Sequence, residues 1–109
     1  TEIHGRSLKT PGILCEQPQM TVCLTADTGS QTSVLPMTIG ILIRNGLSFE
    51  DAMKGVTINP AKILNLEDRI GSLEEGKDAD IAIFDGIPFD SQTLCRLTMI
   101  DGEIYHNTL

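Results

Sequence analysis

The sequence predicts an α/β half followed by a β half, and the first sixty residues read as the end of something larger. Three observations carry this. The apolar period changes from helical to alternating near Leu66. Only one β-prone run precedes the helices, and one strand with helices after it cannot build a parallel sheet, because each parallel neighbour needs its own crossover unit. Finally, Asp101-Gly102 separates two apolar runs and is the strongest short hairpin signal.

The elements follow in order. Residues 1–20 are polar and carry Gly5, Pro11, Gly12 and Pro18, so they read as irregular, with a helical turn after Pro11. Thr21-Val22-Cys23-Leu24-Thr25 is β-prone and bounded by turn formers, which predicts a buried strand. Residues 26–34 predict a loop. Leu35, Ile39, Leu42 and Ile43 then share one helical face. Met37 and Ile41 widen it until the helix is apolar nearly all round and needs burial on most sides. Gly46 is its C-terminal stop.

A second helix covers 48–56. Ser48 caps it, Glu50 and Asp51 suit its positive end, and Phe49, Ala52, Met53 and Val56 form its stripe. A third covers 59–64, with Asn59 as cap, Pro60 at the first helical position and Ile63 and Leu64 facing inward. Past Leu66, the run 79–84 reads as a strand after a turn at Gly76. Residues 93–106 read as a hairpin about Asp101-Gly102. Gly71 serves a turn as well.

Composition narrows the function. The 109 residues suit one small domain, and aromatics at 4% force an aliphatic core. The net charge of −7 disfavours nucleic acid and anionic membrane surfaces as partners. No run approaches the roughly 18 apolar residues of a spanning helix, and the N-terminus does not read as a signal peptide. The chain opens on Thr1, so residues are expected upstream. Cys15, Cys23 and Cys95 form no C-x-x-C pair, which predicts reduced, mostly buried thiols in a cytoplasmic protein.

"LKTPGIL", "TVCLTAD", the stretch from "GLSFEDAMKGVTINPAKIL" to "ADIAIFDG", and "MIDGEIY" occur in that order. Together they resemble the C-terminal part of the amidohydrolase superfamily, with its imidazolonepropionase-like members the nearest likeness. The resemblance covers roughly residues 5–107. It implies a (β/α)8 barrel with divalent metal at its C-terminal mouth, and a small β-sandwich that the chain rejoins after the barrel. Residues 1–66 would then end the barrel domain with its last strand and helices. Residues 67–109 would supply returning sandwich strands.

By that resemblance "TVCLTAD" is the eighth barrel strand and Asp27 its metal-binding, catalytic aspartate. Taken alone, an aspartate ending a strand is an ordinary loop or cap residue. The implied activity is hydrolysis of C–N bonds in cyclic amides or small dipeptide-like amides. A metal, zinc by preference, activates water, and a carboxylate beside it takes the proton and passes it to the leaving nitrogen. Barrel enzymes keep their sites on that face. Thr28 and Ser30 are candidates for the substrate mouth, with a solvated loop as the plainer reading. Asp78 and Asp80 fall in the family's "KDAD" turn, where they are expected to hold backbone amides. His4 and His106 read as surface residues.

The pattern also departs from the family. The chain has no H-x-H and two histidines in all, and a full barrel takes about 250 residues. The isolated chain is therefore expected to hold no catalytic metal and to be inactive. Near relatives often follow the aspartate with His-Pro, where this chain has Thr28-Gly29; before the strand it carries "CEQPQM" in place of a glycine-containing link. Helices built to face a barrel would leave apolar surface exposed, which predicts a homo-oligomer or aggregation. The competing reading is a non-catalytic α+β interaction or assembly module that retains the family's tail.

Overall fold

The computed structural model describes residues 7–109, so the readings of His4 and Gly5 lie outside it. Among the described residues, five helices precede three strands: α1 Thr10–Cys15, α2 Gly29–Thr32, α3 Leu35–Arg44, α4 Phe49–Val56, α5 Ile58–Ile63, β1 Ile81–Phe84, β2 Cys95–Ile100 and β3 Glu103–Asn107.

Pro11 sits in the first turn of α1, as its fixed φ favours. That helix lies close to the end of α3: a Cβ on Gly12 would stand 3.0 Å from the Gly46 carbonyl. The α3 helix ends as expected. Gly46 takes φ +108°, its N–H donates to Ile43 O, and the Leu47 N–H reaches back to Leu42 O. This pair of bonds is a Schellman closure, and it drives Leu47 into the core at 2% exposure. Next, Ser48 Oγ accepts the Asp51 N–H at 3.1 Å and caps α4.

The core forms where α3 and α4 meet. Ile39, Leu47, Ala52 and Phe89 are buried together, with Leu24, Leu35, Leu42, Ile43, Met53 and Val56 packed around them. Burying a side chain of the Ile or Leu kind contributes about 1.5–3 kcal/mol. Phe89 reaches this cluster from the long β1–β2 loop and meets Phe49 edge-on, with centroids 5.9 Å apart. The core is therefore drawn from both sides of Leu66.

The strands form one antiparallel sheet in the order β1-β2-β3. Ile81 pairs with Met99 and Ile83 with Leu97; Ile100 pairs with Glu103 across the hairpin. Asp101 and Gly102 both take positive φ, +49° and +80°, as a two-residue turn of matching twist requires. Asp80 Oδ1 accepts the Asp101 N–H at 2.8 Å, and Gly102 N–H donates to Ala79 O. The turn is thereby pinned to the approach to β1.

Several expectations are corrected. Residues 20–26 join no ladder among the described residues, so the expected buried strand at 21–25 is not formed. Its burial does alternate as along an extended chain: Val22, Leu24 and Ala26 are half-buried, and Thr21, Cys23, Thr25 and Asp27 are exposed. The expected loop at 26–34 contains the turn of α2.

The α3 helix buries one face, with Ile39 at 1% exposure, and leaves Met37 and Ile41 at 48% and 46%. Its packing against α1, α4 and the β1–β2 loop does not surround it. Asn59 does not cap α5; Thr57 stands there, and Asn59 lies within the helix. The inward residue of α5 is Ala61, while Ile63 and Leu64 are exposed. Asp78 binds the Arg69 guanidinium at 2.7 Å, not a backbone amide. All three cysteines are free and none is fully buried.

Candidate functional site

The stretch around Asp27 is held from behind. Leu24 N–H donates to Gly55 O at 2.9 Å, and Val22 O accepts Asn59 Nδ2–H at 2.9 Å. Leu24 also packs into the helical core. The inward side of the alternating run is thus fastened to α4 and α5. Its outward side presents Cys23, Thr25 and Asp27 in sequence, all exposed.

Beyond Asp27 the chain turns into α2. Thr28 is extended and Gly29 begins the helical turn. Gln31 Oε1 accepts the Asp27 N–H at 3.2 Å, which ties the aspartate's backbone to that turn. Thr28 Oγ1 and Ser30 Oγ stand 3.0 Å apart and share a hydrogen bond. All three predicted site residues therefore lie together on one exposed turn. Among the described residues, no hydrogen bond or ion pair engages the Asp27 carboxylate. Its oxygens are open to hydrogen-bond donors from outside.

Sequence reasoning missed Gln31 and Asn59. Gln31 follows Asp27 at a spacing of four, the reach of one turn, and could have been found that way. The long-range bond from Asn59 to Val22 leaves no local signal. The other charged groups near the helices serve structure. Lys54 pairs with Glu50 at 2.7 Å one turn apart, and Lys77 gathers the Glu67 carbonyl, Ser72 and Glu74. Burial pushes the Cys15 thiol above its ordinary pKa, and nearby Asp51 adds to the effect.

Residues 11–106 match the model of the Amidohydrolase family. Adenine deaminase 2 of Jannaschia sp. is 38% identical over 86 residues, 74% of this chain and 13% of that protein. Imidazolonepropionase of Shewanella baltica is 35% identical over 82 residues, 71% of this chain and 20% of that protein. An amidohydrolase of Thermotoga maritima MSB8 superposes with a TM-score of 0.84 at 35% identity, covering 93% of this chain and 26% of that one. The chain belongs to the amidohydrolase family. It spans 13% and 20% of the length of the two curated relatives.

A metal needs several converging ligands, and one carboxylate does not make a site. Among the described residues, no three of His, Cys, Asp and Glu gather to hold an ion. The residues around Asp27 do not by themselves fit a metal centre. Among the same residues, no helix is long and apolar enough to cross a membrane.

Proposed function

We propose that this chain is the C-terminal part of a metal-dependent hydrolase of C–N bonds, with residues 1–66 closing its barrel domain and 67–109 returning to a smaller β domain. Asp27 accepts a proton from the attacking water and returns it to the leaving nitrogen as the C–N bond breaks. Thr28 and Ser30 border the substrate. The remaining ligands of the divalent metal, zinc first, come from outside these residues, and the substrate is a small amide or nitrogen ring. Unpaired thiols suit a cytoplasmic setting.

One observation carries the reading. In a chain of this family, an exposed carboxylate with no partner among the described residues ends a run fastened from behind. The test uses the whole protein and three probes: imidazolonepropionate, adenine and a small dipeptide. Turnover of one of them, lost on chelation and reduced about 10²–10⁴-fold in Asp27→Asn, is expected. Release of product from none of them, or a wild-type rate in Asp27→Asn, overturns it.

The isolated 109-residue chain is expected to associate through its apolar faces. Ile13, Met37, Ile41, Ile63 and Leu64 are all about half-exposed or more. Sedimentation of the isolated chain at tens of micromolar should show dimers or larger species; a clean monomer contradicts this.

A further inference from the structure

We propose that Gly55 and Asn59 form a two-point clamp that positions Asp27, an inference that rests on the reading of Asp27 given above. The two residues lie four apart across the junction of α4 and α5. Each holds the alternating run by a different backbone group. Gly55 O accepts the Leu24 N–H at 2.9 Å, and Asn59 Nδ2–H donates to Val22 O at 2.9 Å. These bonds stand in for the strand ladder that the run lacks among the described residues.

Gly55 is also a matter of space. A Cβ there would meet Leu24 Cγ at 3.0 Å and Cδ1 at 3.1 Å, and Val22 O at 3.7 Å. Leu24 therefore lies flat on the helix because position 55 has no side chain. Asn59 is the partner from the neighbouring helix, and its amide is half-buried at the contact. Only Thr25 and Ala26 separate Leu24 from Asp27, and the Gln31 bond holds the far side. Displacing Val22 or Leu24 therefore displaces the carboxylate. An error of about 1 Å in a reacting group is enough to lower a rate about a hundredfold.

The helices would act on the rate only through Asp27, so both are positioning residues. The experiment uses the whole protein with whichever of the three probes it turns over. Asn59→Asp keeps the side chain's shape and removes the donor facing Val22 O. Gly55→Ala pushes on Leu24 from the other point. Each should lower kcat about 10–100-fold with KM held within about twofold. Hydrogen exchange should show faster exchange at the Leu24 amide in both.

Wild-type kcat in either variant overturns the clamp. So does a fall in kcat matched by an equal rise in KM. If Asn59→Asp fails to fold, Gly55→Ala decides alone, since its added methyl meets a flexible side chain. Asp27→Asn is measured alongside. A wild-type rate there refutes the reading of Asp27, whereas its loss beside an unaffected Asn59→Asp refutes the clamp alone.

Discussion

Asp85 accepts the Leu94 N–H on one oxygen at 2.8 Å and Arg96 Nε and Nη2 on the other, each at 2.8 Å. The Leu94 bond, and then the Arg96 guanidinium, hold its carboxyl below the ordinary range. Glu50 is lowered by its bond to Lys54, and Glu74 by Ser72 and then Lys77. A carboxyl with a lowered folded pKa contributes stability above its unfolded value near pH 4, and loses it as pH falls through the folded value. Lys54 runs the other way. The Glu50 bond raises it, so its contribution holds below about pH 10 and fades as pH climbs through the raised value. These groups are exposed, so each effect is small. Urea midpoints should hold between about pH 5 and 8 and decline below about pH 4. A midpoint that improves from pH 5 to pH 3 would contradict this assignment.

At the scale of elements, the α4 cap is the clearest local device. Ser48 Oγ accepts the Asp51 N–H and donates to Asp51 Oδ2 at 2.9 Å. Ser48→Ala should cost about 1 kcal/mol in urea unfolding, and a change under a few tenths would mean the cap is redundant. This cap, the Gly46 stop and the Asp101-Gly102 turn were all legible because each depends on residues within one turn of chain. The face of α5 was not. Six residues make less than two turns, too few for periodicity to choose Ala61 over Ile63 and Leu64. Nor could the chain announce that Asn59 spans to Val22, a partner 37 positions away. The turn carrying Asp27, Thr28 and Ser30 was found through the family's motif order, since its local composition is that of any polar loop.

Across the whole molecule, the helical and sheet halves are joined at Gly40 and Phe89. A Cβ on Gly40 would collide with the Phe89 carbonyl oxygen. Gly40→Ala must push the β1–β2 loop off α3, at a cost of about 1–3 kcal/mol in unfolding free energy; an unchanged stability would show that this loop yields freely. Few residues are fully buried, and the Cα radius of gyration is 15.0 Å, against about 13 Å for a compact chain of 100 residues. Ile13, Met37, Ile41, Ile63 and Leu64 of these helices stay well exposed. Cys23 shares the outward row with Thr25 and Asp27. It offers a native handle for a maleimide dye two peptide units from Thr25, and Cys15, half-sheltered with its thiol held protonated, should label more slowly. Quick alkylation of Cys23 beside slow alkylation of Cys15 is expected; equal rates would show that something sits over that row.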